Sequence, residues 1–117
     1  MNSQVLVVDD SESFRRTARE LLGGRGFRVP ADAVDGPSAL AAVAHQRPDG
    51  VLLDINLPGA DGLSVAESLT SRYPGLRIVL TSSDVDDVPA EQLDACGARA
   101  FIPKTELVAA DLERLFG

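Results

Sequence analysis

The chain has 117 residues, 44% of them hydrophobic and 25% charged, with a formal net charge of -7, which is enough for one buried core and too little for two. That acidity argues against a surface that grips nucleic acid or an anionic membrane, and favours a cation or a basic partner. With one cysteine (Cys96) and one histidine (His45), an internal disulfide and a zinc cluster are excluded.

Turn signals punctuate the chain at short intervals, and apolar runs alternate with helix-period segments five times. Residues 5–8 read as the first strand. Residues 11–22 follow as a helix with Phe14, Ala18, Leu21 and Leu22 on one face and Gly23-Gly24 closing it. Residues 28–33 make a weaker strand, placed at an edge because Pro30 removes a ladder donor. Gly36-Pro37 opens the second helix, whose inner face carries Leu40, Val43 and Ala44. Residues 51–54 form the third strand, and residues 62–73 a helix with Ala66, Leu69 and Tyr73 inward, stopped by Pro74-Gly75.

Residues 78–80 are the fourth strand, ending at Thr81. The acidic stretch 84–87 is loop, because Pro89 pushes Val88 out of helical geometry, and the fourth helix is short, 89–96. Residues 100–102 give the fifth strand and 105–116 the last helix, with Val108, Leu112 and Leu115 inward. The alternation implies right-handed βαβ units and a parallel sheet with helices on both faces. No N-terminal signal pattern or membrane-length apolar run appears, so a cytoplasmic protein without membrane insertion is expected.

In such a sheet the C-terminal strand ends share one edge, where ligands bind. Strand one ends in Asp9-Asp10, strand three in Asp54, strand four in Thr81, and strand five just before Lys104. Singly, each has a plain explanation: helix caps for the Asp pair, a backbone-bonded hydroxyl, a solvated lysine. Together they describe a site. Clustered carboxylates repel unless a cation neutralises them, and a hard divalent ion such as Mg²⁺ meets that need while keeping positions for phosphoryl oxygens. Lys104 and Thr81 supply an ammonium and a hydroxyl for those oxygens, which leaves Asp54 as a nucleophile for an acyl phosphate.

The segments Val5-Leu6-Val7-Val8-Asp9-Asp10, Asp54-Ile55-Asn56-Leu57-Pro58-Gly59-Ala60-Asp61-Gly62, Val79-Leu80-Thr81 and Gly97-Ala98-Arg99-Ala100-Phe101-Ile102-Pro103-Lys104 resemble, in order and spacing, the CheY-like receiver domain of bacterial response regulators, here as a stand-alone unit over residues 1–117. The resemblance implies a flavodoxin-like (βα)5 three-layer α/β fold with strand order 2-1-3-4-5. It implies a two-component or phosphorelay switch: Asp54 accepts a phosphoryl group from a phosphohistidine on a sensor histidine kinase or histidine phosphotransfer protein. Asp10 and Asp54 would ligate Mg²⁺ directly, Asp9 through water, and Asn56 through its backbone carbonyl. Lys104 would hold Asp54 and then the phosphate, Thr81 would move toward it, and Phe101 would follow by changing rotamer. The surface of helix four, strand five and helix five would then engage a downstream protein target, without direct contact to nucleic acid. Asn56 and Ser83 fall where the family tunes phosphate lifetime.

The chain departs from the family at Thr105, where proline after a cis bond is common, at Ser82, where alanine is frequent, and at Pro89, which shortens helix four. The rival readings are a receiver-like adaptor that works without phosphorylation and a small phosphatase of the haloacid dehalogenase type, which lacks its second Asp because Glu12 stands there. A Rossmann nucleotide site has no glycine-rich loop to support it. With the chain ending just after the last helix, output is expected through protein contacts, and the protein is expected to be a self-phosphorylating and autodephosphorylating switch instead of a conventional enzyme.

Overall fold

A computed structural model describes residues 3–117. In chain order its elements are β1 (Val5–Val8), α1 (Glu12–Gly24), β2 (Asp32–Ala33), α2 (Gly36–Gln46), β3 (Gly50–Asp54), β4 (Asn56–Leu57), β5 (Ala60–Asp61), α3 (Gly62–Arg72), β6 (Arg77–Ser82), α4 (Ala90–Cys96), β7 (Ala100–Pro103), a 3-10 helix (Lys104–Ala109) and α5 (Leu112–Phe116). Five strands pair in parallel in the order β2-β1-β3-β6-β7. This is the expected 2-1-3-4-5 flavodoxin-like order, because β4 and β5 form a separate antiparallel hairpin outside the main sheet.

Side chains on a strand alternate between the two faces of the sheet, and here the alternation builds two cores. Leu6, Val8, Val51, Leu53, Ile78 and Leu80 pack with residues of α2 and α3 on one face. Val5, Val7, Leu52 and Val79 pack with Ala18 and Leu22 of α1 and with Leu107, Leu112 and Phe116 on the other. The central strands are buried on both faces, which is why they read as unbroken apolar runs. One consequence reaches the site. Counting two residues on from Val7, Leu52 and Val79 gives Asp9, Asp54 and Thr81, and two on from Ile102, which packs against the same core, gives Lys104.

Five expectations need correction. The first helix is not closed at Gly23-Gly24 but runs through both, and the left-handed turn falls to Gly26 (φ 90°). The second strand shrinks to two residues, because donor-less Pro30 separates them from an isolated bridge between Gln4 and Arg28. On α2 the buried apolar side chains are Ala39 and Val43, with Leu40 half-buried and Ala44 exposed. The fourth sheet strand runs on to Ser82.

The fifth correction is the largest: the last helix is two pieces. The 3-10 segment ends at Ala109, the next residue, Ala110, has an extended backbone (ψ 153°), and Asp111 restarts the chain as an α-helix by accepting a hydrogen bond from the Arg114 N–H. The break rephases the inner face to Leu107, Leu112 and Phe116, and leaves Val108 69% exposed. Carbonyls freed at the break are met by Arg25, which donates to Val108 and Ala110 and pairs with Glu113 at 3.1 Å.

Candidate functional site

Each site residue sits where a strand stops. Asp54 ends β3 directly opposite Thr81 of β6, and Thr81 in turn lies opposite Ile102 of β7. Asp9 follows β1, its N–H bonded to the Ala33 carbonyl at 3.0 Å. Asp9 is fully buried, Asp54 4% exposed and Thr81 fully buried, whereas Asp10, of opposite strand parity, is exposed.

The chain holds these carboxylates by one oxygen each. Asp9 Oδ1 accepts from the Ser11 N–H at 2.8 Å, and Asp54 Oδ1 accepts from the Asn56 N–H at 2.8 Å. The other oxygens face a single cation: Lys104 Nζ lies 2.7 Å from Asp9 Oδ2 and 3.1 Å from Asp54 Oδ2. The contact to Asp9 is ionic, because its Oδ2 has no well-directed hydrogen-bond partner. Arg15 braces the loop from behind, donating to the Asp9 carbonyl at 2.8 Å and pairing with Asp32 at 3.1 Å.

Charges here do not balance. Burial pushes the Asp54 carboxyl above the usual carboxylate range and the nearby Asp9 charge adds to the rise, against the Asn56 N–H and Lys104, which favour the ionised form. For Lys104, burial alone would favour the neutral amine, but the contacts with Asp9 and Asp54 outweigh it and raise the pKa above 10.5.

The Asp54 shift fixes a sign. A carboxyl whose folded pKa lies above its ordinary 3.8 binds its proton more tightly in the folded chain, so its contribution is most favourable below 3.8 and is lost as pH rises through the folded value. Asp54→Asn removes that penalty and leaves Lys104 paired with Asp9. In metal-free buffer the variant is expected to have the higher urea midpoint at pH 7, with the gap closing as pH falls toward 3.8; a lower midpoint at pH 7 would contradict this.

One ligand oxygen from each of Asp9, Asp10 and Asp54 lies within 4.8 Å of the others. All are carboxylate oxygens, and Asp9 Oδ2 is buried with only its ionic contact to Lys104, so the donor set suits a small hard cation such as Mg²⁺. The Asn56 backbone is beside them, with its N–H on Asp54.

Other expected residues fall nearby with different partners. Thr81 Oγ1 donates to the Ile102 carbonyl at 2.7 Å. Phe101 is half-buried against the core on the α3 face. Ser83 is exposed. Ser82 is buried, and its Oγ accepts from Asn56 Nδ2 at 3.0 Å and from the N–H groups of Asp84 and Val85. Asn56 also donates to Asp84 at 3.0 Å, so the β3 and β6 loops are tied together. The Lys104–Thr105 peptide, whose isomer the sequence left open, is trans.

Helix spacing places Phe14 in the core. Its ring lies 4.2 Å from Lys104 Nζ, a contact between α1 and the end of β7 that helix periodicity cannot reveal.

Residues 5–114 match the response regulator receiver domain family. The chain belongs to that family. It is 41% identical over 105 residues to the response regulator MprA of Mycobacterium sp. (strain KMS), covering 89% of this chain and 45% of that protein. The signal receiver domain of the putative response regulator NarL from Mycobacterium tuberculosis is 35% identical, with TM-score 0.81 and coverage of 99% and 98%. The CheX–CheY–BeF3–Mg²⁺ complex of Borrelia burgdorferi aligns with TM-score 0.82 at 26% identity, covering 96% of this chain and 85% of the matched one. The chain spans less than half the length of the curated relatives it matches. As a response regulator receiver domain it is of the two-component signalling type, in which receivers meet histidine kinases and effectors. No helix among the described residues is long and apolar enough to cross a membrane.

Proposed function

We propose that this receiver domain is a phosphorylatable switch in which Asp54 takes a phosphoryl group from a phosphohistidine of a sensor histidine kinase or phosphotransfer protein. What supports this most is Lys104 Nζ bridging Asp9 and Asp54 at 2.7 and 3.1 Å beside a third carboxylate, Asp10. In the transfer, an Asp54 carboxylate oxygen attacks phosphorus, the P–N bond to the imidazole breaks, and its electron pair leaves with the ring nitrogen. The product is an acyl phosphate on Asp54.

Asp10 and Asp54 would hold Mg²⁺ directly, Asp9 through water, and Asn56 by its backbone carbonyl. The bound ion would supply positive charge to the phosphoryl oxygens. Lys104 would exchange its Asp54 contact for a phosphoryl oxygen, which offers a stronger charge-assisted bond. Thr81 would give up its bond to the Ile102 carbonyl and turn its hydroxyl to the phosphate, and Phe101 would follow by changing rotamer. This would change the face made by α4, β7 and the 3-10 helix with α5, the surface offered to a downstream protein. That output is read as protein contact in the cytoplasm, with no nucleic acid and no turnover of an outside substrate, residues 1–117 acting as one unit. Asn56 and Ser83 would set how readily water reaches the phosphorus; replacing both with bulky residues is expected to slow dephosphorylation, and an unchanged rate would remove them from that role.

The test is intact mass after incubation with Mg²⁺ and a small acyl-phosphate donor. Wild type is expected to gain one base-labile phosphoryl group, and Asp54→Asn none. An equal adduct on both proteins, or none on folded wild type with magnesium bound, would overturn the proposal.

A further inference from the structure

Lys104 has a third neighbour that a receiver mechanism built on Asp9 and Asp54 does not use. Its ammonium sits 4.2 Å from the centroid of the Phe14 ring, while Asp9 Oδ2 and Asp54 Oδ2 approach the same nitrogen at 2.7 and 3.1 Å. With its side chain only 16% exposed, the ammonium is largely removed from water, the condition in which attraction to an aromatic face is strongest.

We infer that Phe14 is a positioning residue for Lys104, its ring face fixing the ammonium between Asp9 and Asp54 in readiness for a phosphoryl oxygen; the functional half of this inference rests on the phosphotransfer reading above. The ring is itself well placed by the chain. Ser11 caps α1 by accepting the Phe14 N–H at 3.3 Å, and Ser11 in turn donates its own N–H to Asp9 Oδ1 at 2.8 Å. Phe14 is packed against the core shared by α1, β1 and α5. One loop thus sets both the carboxylate and the aromatic face that meet the lysine.

A ring face attracts a cation through its quadrupole but has no lone pair to hold it by a short directed bond. It guides the ammonium without competing with phosphoryl oxygens. A carboxylate in the same place would hold the lysine back.

The test compares wild type with Phe14→Leu, which keeps an apolar side chain without a ring face, and Phe14→Tyr, which keeps the face. Two readouts are taken: the Lys104 methylene proton shifts by NMR, and the rate of Asp54 phosphorylation by a small acyl-phosphate donor with Mg²⁺. In wild type and Phe14→Tyr the Lys104 Hε protons are expected upfield from the ring current, and in Phe14→Leu at their ordinary position. The Phe14→Leu rate should fall about fivefold, with Phe14→Tyr restoring it and both variants retaining a cooperative melt. Unshifted Hε protons in wild type overturn the placement, whether or not Asp54 is phosphorylated. Shifted Hε protons with an undiminished Phe14→Leu rate overturn the functional role. If wild type shows the shift but Asp54 takes no phosphoryl group, the placement stands and it is the phosphotransfer reading that has failed.

Discussion

Gly62→Ala is expected to cost about 3 kcal/mol of stability, because no side-chain rearrangement makes room for one methyl group. A Cβ at residue 62 would run into Ile55 Cα and sit 2.5 Å from the Asp54 carbonyl oxygen. Both obstacles are backbone of the strand end that carries Asp54. The Gly62 N–H also donates to the Ile55 carbonyl at 2.9 Å, so α3 cannot withdraw without losing that bond. The same substitution should therefore displace the Asp54 carboxylate as well as weaken the fold. Gly75→Ala is the control, since nothing lies within 4 Å of the position its Cβ would take. Urea midpoints should separate the two variants clearly; a Gly62→Ala midpoint equal to that of Gly75→Ala would show that the turn yields.

Lys104→Met should have the second large effect. It keeps most of the side-chain bulk but leaves Asp9 and Asp54, both buried, facing one another without a cation. Removing one member of a buried ionic cluster costs about 3 kcal/mol, because the remaining charges are uncompensated. In metal-free buffer at pH 7 a loss of that order is expected by urea denaturation. Millimolar Mg²⁺ should return more stability to the variant than to wild type, since a cation that binds the folded cluster substitutes for the missing charge. Equal stabilisation of the two proteins would mean that the carboxylates do not act as one site. Wild type has its own pH signature: with the folded pKa of Lys104 raised above 10.5, the lysine's contribution is complete below that value and disappears as pH rises through the folded one. Phosphorylation of Lys104→Met should slow by roughly a hundredfold, the usual scale for deleting one group that stabilises developing charge.

The gathering of Asp9, Asp54, Thr81 and Lys104 at one sheet edge was legible because polar residues stand directly where apolar runs stop. A carboxylate directly after Val51-Leu52-Leu53 and a threonine after Ile78-Val79-Leu80 have few reasons to end buried strands, and parallel topology brings such ends to one edge. Strand alternation explains why Asp9 and Asp54 face Lys104 while Asp10 opens to solvent.

Other features were hidden for physical reasons. Val108, Leu112 and Leu115 fit a continuous helical face, yet the chain breaks at Ala110 and buries Leu107 and Phe116 instead. The one local cue was Asp111, a good cap in the middle of an apparent helix. What stabilises the break is Arg25, far off in sequence, whose guanidinium meets the freed carbonyls. Phe14 had the spacing of a core residue and is one, so nothing local marked its contact with Lys104. Ser82 and Asp84 gained their link to Asn56 only when the β3 and β6 loops came together.

The central claim is that Asp54, and no other carboxylate of the cluster, carries the phosphoryl group. Borohydride reduces an acyl phosphate to the alcohol, so a phosphorylated aspartate is recorded in the chain as homoserine. After Mg²⁺ and a small acyl-phosphate donor, reduction and peptide mapping should place homoserine at position 54 and leave Asp9, Asp10 and Asp84 unchanged. Homoserine at one of those positions, or none in folded protein with magnesium bound, would contradict the account.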